Sequence, residues 1–206
     1  MQILAKNIGV KINNKAIFSD MSFKLEENKM IGITGKSGSG KTTLLNCLGL
    51  IQEISTGIIM IDGHDTSRWN DSDKTKFWHK SSSFIYQDYG IINNETVRYN
   101  VTLNKNTSKS KEVDQVLSQV GLGGRGEELA SVLSGGEKQR LGIARAIFKD
   151  AKYIFADEPT ASLDSANRQL VMDLLVKQRD NGAMIIIATH DERLVEQCDE
   201  IIDMDT

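Results

Sequence analysis

The chain has 206 residues, is 39% hydrophobic and 26% charged, and carries a formal net charge of −3. That length supports one substantial core, at most with a small subdomain, and the composition is that of an ordinary globular protein. The mild acidic balance argues against a nucleic-acid partner, and two widely spaced cysteines, Cys47 and Cys198, argue against a disulfide scaffold and suit a reducing compartment.

In chain order, Met1-Gln2-Ile3-Leu4-Ala5-Lys6 lacks the basic start and apolar block of a secretory signal. Met21, Phe23 and Leu25 alternate with polar residues, as in a half-buried strand. Met30 to Thr34 is short, apolar and runs into Gly35-Lys36-Ser37-Gly38-Ser39-Gly40-Lys41-Thr42-Thr43. A helix is expected from Lys41, with Leu44, Leu45 and Leu48 on its buried side. Thr56 to Gly63 reads as a strand ending in an Asp-Gly turn, and Ser82 to Tyr86 as another strand. Asn104 to Lys111 is polar and reads as a surface loop. Val113, Val116, Leu117 and Val120 follow at helical spacing, and Gly121 to Gly126 breaks that helix. Another helix begins at Ser134. Lys152 to Asp157 is a near-continuous apolar strand, a helix carries Leu170, Val171, Leu174 and Leu175, and Met184 to Ala188 is a further strand. Glu200 to Asp203 closes the series. No run approaches the ~20 apolar residues that span a bilayer. The pattern implies an α/β domain with a mostly parallel core sheet. We read 1–206 as a single domain, with 1–87 and 151–206 as its core lobe and about 88–150 as an inserted helical subdomain.

Three segments carry chemistry. The pattern G-x-x-x-x-G-K-T at Gly35, Gly40, Lys41 and Thr42 has a strand before it and a helix after it, the context that confirms a phosphate loop. Its glycines let backbone N–H groups close around phosphate oxygens, and the helix start adds a partial positive charge. Lys41 is placed to reach the β- and γ-phosphates and the Thr42 hydroxyl to ligate Mg²⁺. Asp157 and Glu158 end a buried strand just before Pro159, the only proline; alone, they could equally be an acidic helix cap. Ser134-Gly135-Gly136-Glu137 has the S-x-x-E form of a capping box, so it starts a helix whether or not it also meets an anion.

Together, the phosphate loop, Leu133-Ser134-Gly135-Gly136-Glu137 and Phe155-Ala156-Asp157-Glu158 resemble the ATP-binding subunit of an ABC transporter, a P-loop NTPase with an N-terminal antiparallel β part. The resemblance covers nearly the whole chain. It implies ATP with Mg²⁺, bound by residues 35 to 43: Gly35, Lys36, Ser37, Gly38, Ser39, Gly40, Lys41, Thr42 and Thr43. It implies Asp157, Thr42 and Gln87 around the metal, Glu158 as catalytic base, His190 as the switch histidine, and Lys41 and Gln87 in the catalytic set. It further implies a head-to-tail homodimer in which Ser134, Gly135, Gly136 and Glu137 contact ATP held by the other copy. Asp164, in Ser162-Leu163-Asp164, resembles the D-loop and also makes a good helix N-cap. His64 and His79 have no such placement.

Two departures stand out. Glu137 replaces the commoner glutamine, and Ile12 stands where the family usually stacks an aromatic residue on adenine, which implies weaker stacking. Two function classes compete: a transporter motor, and a soluble ATPase of DNA repair or translation. The span from Gln87 to Ser134 is short and lacks sustained heptads, and there is one cassette, which favours the motor. Phe84 to Ile92, followed by Asn94-Glu95-Thr96-Val97, resembles the small ATPases of lipoprotein release, macrolide export and bacteriocin export. The resemblance thus implies a separate transmembrane permease, docked around Gln87, Asp88 and Tyr89, and a cytoplasmic location at the inner face of the membrane. Export of peptide, antimicrobial or envelope substrates ranks first and import of amino acids or other substrates second. The ending at Thr206 leaves no room for an appended regulatory domain.

Overall fold

The computed structural model describes residues 1–105, 109–161 and 163–205. Strands β1 (Gln2–Ile12) and β2 (Lys15–Glu26) form a hairpin, followed by β3 (Met30–Thr34), α1 (Lys41–Leu48), β4 (Thr56–Ile61), β5 (His64–Asp65), α2 (Asp71–Lys80) and β6 (Ser82–Ile85). Three helices come next: α3 (Val97–Thr102), α4 (Ser110–Gln119) and α5 (Gly135–Lys149). The frame then resumes with β7 (Tyr153–Asp157), α6 (Ser165–Asp180), β8 (Met184–Ala188), α7 (Glu192–Val195) and β9 (Glu200–Asp203).

The strands form two sheets. One is antiparallel, in the order β2-β1-β4-β5, and the other has the order β6-β7-β8-β3-β9 with all its pairs parallel. Parallel strands need both faces covered, and period-two burial on β7 and β8 shows how this is met. Tyr153, Phe155, Met184 and Ile186 face a core shared with the antiparallel sheet, including Ile3, Leu25 and Leu44. Ile154, Ala156, Ile185 and Ile187 face Ile143, Val171 and Leu175 of α5 and α6. A third apolar cluster joins Val97, Val113, Leu117, Leu122 and Leu141 across α3, α4 and α5.

Register decides what the sheet can present. Ile33 pairs with Ala188, and Ala188 pairs with Asp157. The C-terminal ends of β3, β8 and β7 therefore lie side by side, at the edge where open parallel sheets bind ligands.

Some elements differ from the sequence reading. The polar stretch 104–111 is not loop throughout, because α4 begins at Ser110; residues 106–108 lie outside the described residues. Helices α2 and α3 have no counterpart in that reading. Both are set by side-chain caps rather than by an apolar stripe: Asn70 and Asp73 close a capping box on α2, and the Thr96 hydroxyl accepts from the Tyr99 N–H at 3.1 Å on α3. Leu170 is at helical spacing with Val171 and Leu174 but is exposed on α6. Cys47 is buried, and burial pushes both its thiol and that of Cys198 up to about 12, which leaves them inert as nucleophiles at neutral pH.

Phe155 is fully buried and stacks on Phe84 with ring centroids 5.0 Å apart. Phe155→Ala should lower unfolding free energy by about 3–5 kcal/mol, read by urea denaturation. A loss below about 1 kcal/mol would mean that the β6–β7 core repacks around the hole.

Candidate functional site

The phosphate loop starts where β3 stops. Gly35, Gly38 and Gly40 all have positive φ, at 140°, 80° and 98°. A side chain at Gly40 would also collide with Ile17, whose Cγ2 lies 2.6 Å from the place a Cβ would occupy. Gly40 is the N-cap of α1 and supplies no side-chain hydrogen bond, so the N–H groups of Lys41, Thr42 and Thr43 open the helix without a capping partner. Buried Ser39 Oγ has no hydrogen-bond partner. Lys41 Nζ arches back over the loop and donates to the Gly35 and Lys36 carbonyls, at 2.8 and 2.9 Å. A lysine satisfied only by carbonyls, above free N–H groups and an orphaned hydroxyl, forms a cradle for an anion.

The register described above sets the acidic pair against this cradle. Thr42 Oγ1 donates to Asp157 Oδ1 at 3.1 Å. Gln87 lines the same open cleft as Asp157, beside Tyr86 and Asp88. Among the described residues no group of three or more His, Cys, Asp or Glu side chains forms a ready metal cage. One carboxylate, one hydroxyl and phosphate oxygens are nevertheless the hard-oxygen set with which Mg²⁺ binds to nucleotide enzymes.

Glu158 follows with φ 45°, a left-handed conformation that is costly for a glutamate. Its N–H donates to the Ala188 carbonyl at 2.8 Å, which ties the turn to β8. Its carboxylate accepts from Thr189 Oγ1 at 3.1 Å and lies 2.6 Å from His190 Nδ1. Glu158 is largely enclosed and His190 mostly exposed, with side-chain accessibilities of 13% and 72%. The Thr189 N–H donates to the Ile33 carbonyl, so the histidine turn is anchored on β3 as well.

Ser134 caps α5, and the capping box is complete: its hydroxyl accepts from the Glu137 N–H, and Glu137 Oε2 accepts from the Ser134 N–H at 2.8 Å. The N–H groups of Gly135 and Gly136 take no part in the box. Both positions are crowded, because a Cβ on Gly135 would fall 2.6 Å from the Tyr89 hydroxyl and one on Gly136 2.6 Å from Asn167 Cγ. Asp164 caps α6 by accepting from the Asn167 N–H at 2.9 Å, while Asn167 Oδ1 meets Arg140 on α5. Ser162 lies outside the described residues. No described hydrogen bond joins Ser134–Glu137 to the phosphate loop of the same chain.

Residues 18–161 match the family described as ABC transporter. This chain belongs to that family. The matched span contains the phosphate loop, Gln87, the α5 start and the Asp157-Glu158 pair. The cassette is 32% identical over 98% of its length to the macrolide export ATP-binding/permease protein MacB of Campylobacter jejuni, of which it spans 32%. It thus covers about a third of the length of such curated relatives. It is also 36% identical to an uncharacterized ABC transporter ATP-binding protein of Methanocaldococcus jannaschii, over 89% of this chain and 84% of that one. To the bacitracin export ATP-binding protein BceA of Halalkalibacterium halodurans it is 32% identical, over 96% of this chain and 81% of that one. Among solved structures, the ATP-binding cassette MJ0796 in a dimeric post-hydrolysis state with ADP and Pi matches at a TM-score of 0.87 and 28% identity, covering 98% of this chain and 93% of that one. Sequence family and fold thus agree on an ABC cassette.

The structure adds contacts to the cassette that periodicity and motif did not reveal. Ile12 lies at the β1–β2 hairpin and is 44% exposed, whereas the side chains nearest Gly40 are Ile17 and Phe18 of β2 and Met204. The local signal was the unbroken apolar run Ala16-Ile17-Phe18 in an otherwise alternating strand. The Lys36 N–H donates to the Asp205 carboxylate at 3.2 Å, a pairing between distant segments that no local pattern announces.

Burial, with the Glu158 charge beside it, holds the Asp157 carboxyl above its ordinary 3.8, although the Thr42 hydroxyl and Lys41 pull it down. A carboxylate raised in the folded chain destabilises that chain once pH rises above the unfolded value, and the cost is complete above the folded value. Asp157→Asn should therefore raise the melting temperature of the nucleotide-free cassette at pH 7, with the gain shrinking as pH falls toward 4. A free variant that melts below the wild type at pH 7 would contradict this electrostatic account.

Proposed function

We propose that this cassette is the ATP-hydrolysing motor of an ABC exporter, working as a head-to-tail homodimer with two ATP molecules in its interface. What carries the reading is that one chain holds two incomplete phosphate sites. The first is the loop at α1 with Lys41, Thr42, Asp157, Glu158 and His190 around it. The second is the glycine start of α5, whose spare N–H groups suit an anion that the same chain does not bring. A two-fold arrangement of copies completes both at once. The dimeric solved relative supports this, and the printed names of MacB and BceA support export over import.

In this reading residues 35–43, from Gly35 to Thr43, wrap the β- and γ-phosphates, and Lys41 exchanges its two carbonyl partners for phosphate oxygens. Ser134, Gly135, Gly136 and Glu137 face the γ-phosphate across the interface, Asp164 borders it, and Ile12 and Ile17 flank the base. Thr42, Asp157 and Gln87 hold Mg²⁺, which when bound offsets charge on the phosphate oxygens. Glu158 orients the attacking water and takes its proton, since its carboxylate is fixed by Thr189 and His190 at the sheet edge. His190, in contact with that carboxylate and mostly exposed, senses whether the γ-phosphate is present. Closure is a population shift driven by γ-phosphate contacts made only in the closed dimer. Among the described residues no helix is long and apolar enough to cross a membrane. A separate permease, seated at Gln87, Asp88 and Tyr89, would hold the cassette to the inner face of the membrane. The helical part, about residues 88–150, transmits its movement.

Glu158→Gln, run on a sizing column with and without Mg-ATP, tests this directly. The expected result is a monomer that becomes a dimer only with Mg-ATP, hydrolysing at least ~100-fold more slowly than the wild type. Adding Lys41→Ala should abolish the dimer. A variant that hydrolyses like the wild type would remove Glu158 from its role, and one that binds ATP yet stays monomeric would count against the shared sites.

A further inference from the structure

We propose that Arg125 is a positioning residue for the phosphate-facing start of α5, required because residue 137 is a glutamate. The inference rests on the reading above, in which that helix start meets the γ-phosphate bound by a second copy. Its basis is a charge problem at Glu137. The carboxylate sits at the third position of α5, where one oxygen, Oε2, accepts from the Ser134 N–H at 2.8 Å. This is a good cap, and negative charge is favourable at a helix start. A polyphosphate arriving at Gly135 and Gly136 seeks the same positive end, so the carboxylate competes with the ligand. A glutamine would close the same capping box without this conflict.

Arg125 removes the conflict. Its Nη1 meets the other Glu137 oxygen, Oε1, while its Nε and Nη2 hold Glu128 Oε2 at 3.0 and 2.8 Å. The side chains of Arg125 and Glu137 are 28% and 25% accessible, so the pair is partly shielded from solvent. The backbone that carries the arginine is itself folded tightly: the Arg125 N–H donates to the Leu122 carbonyl and the Glu128 N–H to the Arg125 carbonyl, at 3.2 and 3.1 Å. The guanidinium thus sits between two carboxylates and offsets the charge on the Glu137 oxygen that the capping box leaves over. Without it, the Glu137 charge would stand uncompensated at the helix start that meets the phosphate.

The test compares Arg125→Gln, Arg125→Lys, Glu137→Gln and the Arg125→Gln/Glu137→Gln double variant, each in the Glu158→Gln background. Dimer formation is titrated with Mg-ATP by analytical ultracentrifugation at low and high salt, and melting curves confirm folding. At low salt Arg125→Gln should need about tenfold more Mg-ATP for half-maximal dimer, and the deficit should shrink at high salt as the extra charge is screened. Arg125→Lys, which keeps the charge, should recover most of the loss. The double variant should dimerise within about twofold of Glu137→Gln alone, the non-additivity expected of a coupled pair. Arg125→Gln behaving like its parent, a deficit unaffected by salt, or a double variant as impaired as Arg125→Gln would each overturn the proposal while leaving the dimer intact. A parent that never dimerises with Mg-ATP would overturn the shared-site reading, and this inference with it.

Discussion

Parallel pairing in one register, Ile33 to Ala188 to Asp157, is the constraint on which the rest of this molecule depends. It sets the ends of three buried strands level with one another. The loop after β3, the acidic pair after β7 and the Thr189-His190 turn after β8 then reach a common edge. A slip of one residue would turn every side chain of a strand to the opposite face. Burial on both faces of β7 and β8 makes such a slip expensive, because Phe155 and Ile154 fill different cores. The precision of the site is thus supplied by hydrophobic packing beneath it.

For the two anion sites proposed above, the protein offers mainly backbone. Both glycine-rich helix starts present N–H groups where a side chain would collide with a neighbour: Ile17 at Gly40, Tyr89 at Gly135 and Asn167 at Gly136. Neighbouring side chains therefore leave room for nothing larger than glycine at these positions. Asn167 carries this furthest, since it joins the Asp164 cap of α6 to Arg140 of α5. Asn167 thereby couples the starts of the two helices through direct hydrogen bonds.

Much of this could be read in the sequence, for identifiable reasons. The phosphate loop, the Asp157-Glu158 strand end and the Ser134–Glu137 box are short-range patterns in which function and local folding use the same residues. The strands β3, β7 and β8 are doubly buried and read as apolar runs. What escaped lacks local periodicity. Helix α2 buries only Phe77 among its ten residues, so no apolar stripe marks it. Leu170 has helical spacing yet faces outward, since spacing alone does not say which side of α6 is covered. Ion pairs such as Arg125 with Glu137, and the contact of Asp205 with the loop at Lys36, connect segments whose proximity only the fold determines.

The left-handed backbone at Glu158 has a consequence for how such a protein can change. Glycine or asparagine would hold that conformation with less strain, and either would remove the carboxylate. Under the role proposed for Glu158, position 158 is a point where robustness and chemistry pull apart. Selection for thermal endurance alone would drift toward a sturdier chain that has lost its glutamate, whereas selection for turnover keeps a residue that the local backbone disfavours. The strain is tolerated because Ala188, at the end of a strand buried for other reasons, and Thr189 just after it hold the turn shut.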